Sequence, residues 1–406
     1  MPEAVIVASA RTPIGRAFKG SLKDERPDDM VAQVVRQALA AVPELDVAEV
    51  EDLLLGCGSP GGEQGFNMAR VAAILLGHDH LPGVTLTRYC ASSLQTTRMA
   101  MHAIRAGEGH AFISAGVESC SSYVKGESDS IPGTMNPLFD SARARSAAAS
   151  DPGADTWADP RALGDLPDVY IDMGQTAENV ALQFDVSRED MDVYAARSQE
   201  RARLAVENGF WASDITPYTR ADGTVLTADE SPRPSTTLDG LADLRPVFRP
   251  NGRVTAGNAC PLNDGASALI VMSDTRAREL GLRPLARIVS TAVSALSPEI
   301  MGMGPVEATR KALALAGMTV NDIDQFEINE AFAAQVIASQ RELGIADDRL
   351  NINGGAIAVG HPFGSTGARI TSTLVNSLRF ADHQLGVETM CVAGGQGMAM
   401  VVERLD

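Results

Sequence analysis

The chain reads as short apolar runs of strand type alternating with longer segments whose apolar positions recur at helical spacing. Residues 4–9 (AVIVAS) are the first such run. Residues 27–42 follow with helical periodicity in DDMVAQVVRQALAAV, where Asp28 or Asp29 can cap. Residues 50–57 (VEDLLLGC) read as a strand, and residues 61–76 as a glycine-rich turn leading into a helix. Residues 84–101 (VTLTRYCASSLQTTRMAM) alternate β-branched and polar side chains in their first half and turn helical in their second. A strand therefore hands over to a helix at Cys90. Residues 111–116 (AFISAG) are the next strand.

From residue 119 to residue 168 the pattern fades into Ser, Ala, Asp, Gly and Pro, as in SARARSAAASDPGADTWADP. Such a segment is an excursion from the core. Helical periodicity returns at residues 173–184 and 188–208, where Ser187 and Asp190 carry a capping-box signature. A loop rich in Pro and Asp covers residues 215–250, and strand and helix resume from Ala266. This later part echoes the earlier one. VEDLLLGC near Leu53 matches DIDQFEINEAF near Phe326; the element around Cys90 matches residues 351–378; AFISAG matches residues 389–394. The offset is roughly 270 residues each time, which suits a duplicated domain and is too long for a solenoid repeat. The expected organisation is α/β, with a first half at residues 1–118, a loop-rich insertion and return at 119–255, and a second half at 256–406.

With 406 residues the chain can bury a large core over two or three domains. A net charge of −18 excludes nucleic-acid binding through a general basic surface, while leaving room for a local patch that holds a phosphorylated cofactor. The five cysteines, Cys57, Cys90, Cys120, Cys260 and Cys391, form no CxxC pair and have no histidine at metal spacing. A disulfide framework and structural zinc are thus disfavoured, and a reducing compartment fits. The first residues enter a strand at once, no apolar run approaches membrane-spanning length, and the final VERLD is no peroxisomal address. A cytoplasmic enzyme with no membrane or nucleic-acid partner is expected.

The candidate chemistry lies at the turns. Cys90 sits where a helix begins, and the N-terminal N–H groups and macrodipole there favour an anion and lower a thiol pKa. Position alone leaves it either a nucleophile or an inert buried thiol. If two related sheets pack side by side, equivalent turns of both should face one cleft. Those turns carry Asn329 and Glu330 in INEAFAA, His361 in GGAIAVGHPFGSTG, and Cys391 heading CVAGGQGMA. Singly they read as a helix cap, a loop histidine and tight turns. Jointly they supply what thiol acyl transfer needs: a nucleophile, a base, an oxyanion donor and a second proton carrier. GGAIAVG lacks the GxGxxG spacing, so no nucleotide redox cofactor is implied, nor is a metal.

The chain resembles the thiolases over essentially its whole length, through SARTPIG from Ser9, the segment at Cys90, MGQTAENVA from Met173, TAGNACPLNDGASA from Thr255, NEAFA from Asn329, GGAIAVGHP from Gly354 and CVAGGQG from Cys391. The resemblance implies a five-layered αβαβα fold of two duplicated halves, with an inserted loop domain that binds coenzyme A. It implies that Cys90 takes the acyl group as a thioester, that His361 deprotonates Cys90, and that Cys391 moves the proton at the α-carbon of acetyl-CoA. Asn329, through a water, would share one oxyanion site with His361; the backbone N–H groups of Cys90 and Ala393 would form the other. Met173, Met301, Met303 and Phe332 would line the acyl pocket, with Ala256, Cys260 and Gly360 on the CoA side. Coenzyme A is then a co-substrate, with no tightly bound cofactor, and a homodimer or homotetramer is expected. The implied reaction is cleavage of 3-ketoacyl-CoA to acetyl-CoA and a shortened acyl-CoA. The alternatives are acetoacetyl-CoA synthesis by the same residues and a non-catalytic acyl-CoA-binding relative. Three departures stand out: Ser93 and Ala393 replace the usual glycines, and Cys260 a usual serine. Asp172 before Met173, where short-chain biosynthetic members have histidine, mildly disfavours an acetoacetyl specialist.

Overall fold

The computed structural model describes residues 2–126, 131–149 and 157–406. Among the described residues, nine strands make up the path of the main sheet: β1 (Ala4–Arg11), β2 (Asp52–Cys57), β3 (Gly83–Leu86), β4 (Ala111–Ser119), β5 (Asn263–Ser273), β6 (Ala286–Ala295), β7 (Gln325–Ile328), β8 (Leu385–Val392) and β9 (Gln396–Arg404), with a short tenth at Gly15–Arg16 paired beside it. They form one continuous sheet in the order β7-β8-β9-β6-β1-β5-β4-β2-β3. Read outward from the junction of β1 with β6, the two sides match. The first runs β1-β5-β4-β2-β3 and the second β6-β9-β8-β7, ending in a parallel bridge from Phe326 to Leu350 where β3 would lie. Pairing direction matches as well: antiparallel, antiparallel, then parallel on both sides. The expected duplication is thus present in the topology.

One boundary differs from the expectation. β5 pairs with β1 and β4, so residues 263–273 complete the first sheet, whereas the division at residue 256 put them in the second half. The second half has its equivalent strand, β9, directly after β8; in the first half the insertion separates β4 from β5.

Alternation along the strands sorts side chains into layers. In β1, Val5 and Val7 face one core with the Pro27–Ala40 and Met68–Leu75 helices, while Ala4 and Ile6 face another. That second core holds two helices, Ser92–Ala106 and Thr366–Phe380, packed between the sheet halves through Leu94, Met101, Ile370 and Leu374. A third core backs the second half with the Gly304–Ala316 and Ala333–Leu343 helices. Helix, sheet, helix, sheet, helix is the five-layered αβαβα arrangement. Gly367 lets the two central helices meet at their N-terminal ends, since a Cβ there would lie 2.1 Å from the Leu94 nitrogen. Truncating fully buried Leu94 to alanine would cost about 2–5 kcal/mol.

The insertion between β4 and β5 lies against the second half. Its Met173–Gln183 and Arg188–Glu207 helices bury Ala177, Val180, Met191 and Tyr194 in the third core. The longer helix starts with the Ser187–Asp190 capping box read from the sequence. The Pro27–Ala40 helix starts differently from the expectation. Arg26 is its N-cap and Pro27 occupies the first turn, where its missing N–H loses nothing, so Asp28 and Asp29 sit inside that turn facing the dipole.

Candidate functional site

Cys90 stands on a sharp turn between β3 and the first central helix. Tyr89 before it adopts φ of 44°, a left-handed conformation that costs a side chain of this size about 1–3 kcal/mol and persists only where neighbours enforce it. Here they do. Tyr89 N–H donates to Thr87 Oγ1 at 3.2 Å, Thr87 donates to the Gly58 carbonyl at 2.8 Å, and Ser92 Oγ accepts from Arg88 N–H at 2.8 Å while donating to the Tyr89 carbonyl at 2.7 Å. The turn aims Cys90 into a cavity of about 530 Å³ lined by Tyr89, Tyr123, Met173, Phe363 and Ala393 among others. The backbone N–H groups of Cys90 and Ala393 both approach its sulfur, which is the pair expected at the second oxyanion site.

The thiol pKa departs from the expectation. Instead of being lowered by the helix end, it is pushed up to about 12, chiefly by burial of the sulfur and then by the negative charge of Glu118; the two N–H groups offset only part of this. A short 3₁₀ turn, Tyr89–Ala91, sits between β3 and the helix, and desolvation outweighs the dipole.

His361 lies deeper, beyond Phe363, whose ring packs edge-on against the imidazole at 5.0 Å. Gly360 does not line the cavity at Cys90. Its φ of 113° and its approach to Asn263, within 2.8 Å of a Cβ if one were present, aim the following residue. His361 N–H then donates to Asn263 Oδ1 at 2.9 Å. On the ring, Nδ1 is 2.6 Å from Thr366 Oγ1, and that hydroxyl donates its own hydrogen to the Pro362 carbonyl at 2.9 Å. The hydroxyl oxygen is left to accept, so the network assigns the proton to Nδ1 and the lone pair to Nε2. Burial, reinforced by the Arg369 charge, pulls the imidazole down to about 3. It rests as a neutral base.

Asn329 directly follows β7, with its N–H on the Thr389 carbonyl at 3.0 Å and Nδ2 3.2 Å from His361 Nε2. Its Oδ1 is buried and has no hydrogen-bond partner, an acceptor suited to a water or a hydroxyl. Cys391, near the end of β8, is fully buried, and its pKa is raised chiefly by burial and then by the neighbouring Cys90 and Cys260 thiols. Gly394 and Gly395, at φ of 76° and 77°, turn the chain into β9 just beyond it. The cavity wall draws Cys90, Met173, Phe363 and Ala393 from four remote segments, and the His361–Asn329 pair sits behind Phe363.

The expected pocket residues divide. Met173 lines the cavity at Cys90. Met301 and Phe332 are buried in the same core as Cys391 and do not line the cavity wall, as is Met303. Cys260 is within electrostatic reach of Cys90, and its backbone N–H is held by the Ala331 carbonyl at 3.1 Å. Ala256 lines a second, much smaller cavity with Arg16, Arg233 and Gly257.

Comparison with known proteins gives the family. The family model described as "Thiolase, N-terminal domain" matches residues 4–275, and "Thiolase, C-terminal domain" matches residues 282–404. The chain belongs to the thiolase family. It is 40% identical to the 3-ketoacyl-CoA thiolase of Bacillus subtilis, over 99% of this chain and 100% of that protein. It is 43% identical to the β-ketoadipyl-CoA thiolase of Pseudomonas aeruginosa, over 99% of each. The crystal structure of human mitochondrial 3-ketoacyl-CoA thiolase superposes with a TM-score of 0.85 at 34% identity, covering 100% of this chain and 99% of that one. The same human protein has been solved in complex with CoA, at 33% identity and TM-score 0.85.

Within this thiolase, the two glycine replacements cause no backbone strain. Ser93 lies inside the Ser92–Ala106 helix, and neither Ser93 nor Ala393 is among the positive-φ residues. Ser93 Oγ accepts from Ala368 N–H at 2.9 Å, which ties the two central helices together.

Glu118 was not singled out in the sequence, although an acid closing the apolar strand AFISAGVES is an available signal. It is fully buried at the end of β4. Oε2 accepts from Gly58 N–H at 2.6 Å and Gly364 N–H at 2.8 Å; Oε1 accepts from Ser59 N–H at 3.1 Å, Gln64 Nε2 at 3.1 Å and Tyr123 OH at 2.9 Å. One carboxylate thus fixes three loops around the cavity. Glu330 plays a similar part on the other side, accepting from Tyr194, Ser198, Asn351 and the Ile357 N–H.

Proposed function

We propose that this thiolase cleaves 3-ketoacyl-CoA with coenzyme A, through a thioester on Cys90, to acetyl-CoA and a shortened acyl-CoA. One observation carries the reading: a thiol receiving two backbone N–H groups shares a pocket wall with the ring that packs on a neutral, Nδ1-protonated histidine. The thiol, pushed up to about 12, and the imidazole, pulled down to about 3, both rest uncharged. Proton transfer to His361 Nε2 is then coupled to attack on the substrate carbonyl. The developing oxyanion is met by donors already in place, and removing one such donor typically costs about 100- to 1000-fold. Asn329 holds the second oxygen position together with His361, and Cys391 carries the proton at the α-carbon of the acetyl unit. Because every step is reversible, the same residues support acetoacetyl-CoA synthesis.

Coenzyme A is read as a co-substrate whose phosphates meet Arg16 and Arg233 beside Ala256 and Gly257. Exposed Phe66, Ile74 and Leu75 lie near the edge strand β3, and support assembly as a homo-oligomer. Among the described residues no helix is long and apolar enough to cross a membrane. The test is a short pulse of acetyl-CoA followed by peptide mass spectrometry. One acetyl group on Cys90, absent from Cys90→Ala, is expected. Thiolysis by Cys90→Ala, or acetylation elsewhere, would remove the nucleophile assignment.

A further inference from the structure

We propose that the cavity at Cys90 selects 3-ketoacyl groups whose tail is uncharged and longer than the acetoacetyl methyl, and rejects tails that end in a carboxylate. This rests on the thiolase reading above and adds the chemistry of the tail. Relatives named for 3-ketoacyl-CoA and for β-ketoadipyl-CoA are equally similar to this chain, at 40–43% identity, so similarity does not choose between them. The cavity does.

Its size comes first. At about 530 Å³ it far exceeds the ~30 Å³ a single water occupies in the liquid, so it has room for several methylene groups beyond the keto carbon. Its wall is largely apolar, from Tyr89, Met135, Val169, Ile171, Met173 and Phe363. Charge decides the rest. Among the described residues no Lys, Arg or His lines the cavity, and the lining residue with a charge is Asp172. Glu118 stands behind Tyr123 and Ser59, outside the wall, with both oxygens capped by donors.

Nearby cations are engaged elsewhere. Lys125 pairs with Glu63 at 2.8 Å, and Arg88 bonds Gln95 and Gln396. Arg145 and Arg249 line a separate cavity of about 170 Å³ across Ile171; Arg145 is paired with Glu299 at 2.8 Å, and Arg249 is bonded to Gln175 at 2.7 Å and Asn179 at 2.6 Å. A terminal carboxylate entering the main cavity would lie against its apolar wall, find no lining cation among the described residues and meet Asp172.

The test compares wild-type thiolysis of 3-ketohexanoyl-CoA and 3-ketoadipyl-CoA, two chains of the same length that differ in the terminal carboxylate, with acetoacetyl-CoA as the tail-free control. The kcat/KM for 3-ketohexanoyl-CoA should be about 100-fold above that for 3-ketoadipyl-CoA, the scale on which a pocket that leaves a buried charge unpaired discriminates, and should exceed that for acetoacetyl-CoA. Asp172→Lys should narrow the six-carbon ratio at least tenfold. Equal or inverted wild-type values, or a ratio unmoved in Asp172→Lys, overturn the proposal while turnover of acetoacetyl-CoA leaves the thiolase reading standing. No turnover of any of the three esters removes that reading and the proposal with it.

Discussion

Replacing Thr366 by valine would test the proton placement on which the base depends. The side chain is fully buried, so the isosteric change leaves packing intact and removes one oxygen. That oxygen accepts the His361 Nδ1 proton at 2.6 Å and donates to the Pro362 carbonyl at 2.9 Å. Without it the imidazole has two choices, both costly. It can keep the proton on Nδ1 and strand a buried donor, at about 1–3 kcal/mol. It can instead move the proton to Nε2, where the hydrogen meets the Asn329 amide donors 3.2 Å away and the lone pair that should receive the Cys90 proton is lost. Either cost falls on the attack step, and 1–3 kcal/mol corresponds to about 5- to 150-fold in kcat. The assay is steady-state thiolysis, with the rate of Cys90 acylation from rapid-quench mass spectrometry as the step-specific readout. Thr366→Ser restores the hydroxyl and should recover most of the rate, which separates the hydrogen bond from packing. If Thr366→Val turns over within twofold of wild type, the tautomer assignment is wrong.

Two further outcomes are expected. His361 has a folded pKa of about 3, below its unfolded value of about 6.5, so the unfolded state binds the extra proton first and stability is lost as pH falls through that interval. His361→Asn should therefore show a shallower decline of Tm between about pH 6.5 and 3 than wild type in thermal scans; parallel curves would place the imidazole in solvent. Glu118→Gln turns an amide NH2 toward at least two N–H or O–H donors whichever way it is set, and should destabilise by roughly 2–5 kcal/mol. The same change removes the charge that raises the Cys90 pKa, so the pH profile of Cys90 alkylation by iodoacetamide should move down; an unmoved profile with unchanged Tm would deny Glu118 both roles.

Much of the fold is legible because its cause is local. The apolar runs of β1, β2 and β4 and the helical spacing from Ser92 follow from which faces meet a core, and the duplicated order of β2 and β7 repeats that pattern. The assignment of β5 is not legible in the same way. Pairing between β4 and β5 is set by hydrogen bonds across a long insertion, whereas its counterpart, β8 to β9, is a short turn that the sequence displays directly. The cap at Arg26 was hidden for a smaller reason: two acidic residues followed a proline, and the proline takes the first helical position.

The site divides along the same line. Cys90, Asn329, His361 and Cys391 stand out as candidates because a turn's chemistry is written where the chain bends. Their electrostatics do not, since a pKa reports what covers a group, and cover comes from segments far apart in sequence. The Cys90 sulfur shows the consequence. The helix start behind it favours a thiolate, but Phe363, Ala393 and Glu118, brought from three other elements, exclude water and add a negative charge. The same cover lowers His361. A pocket that raises the acid and lowers the base keeps the thiol protonated in the free enzyme, which protects it from oxidation and adventitious alkylation. In the proposed reaction, charge separation is favoured once a thioester carbonyl sits against the N–H groups of Cys90 and Ala393, because the negative charge then moves from sulfur to an oxygen with donors already aimed at it. Iodoacetamide alkylation of Cys90 at pH 7 should accordingly be slow compared with acylation by acetyl-CoA, and fast alkylation would mean that the thiolate pre-exists.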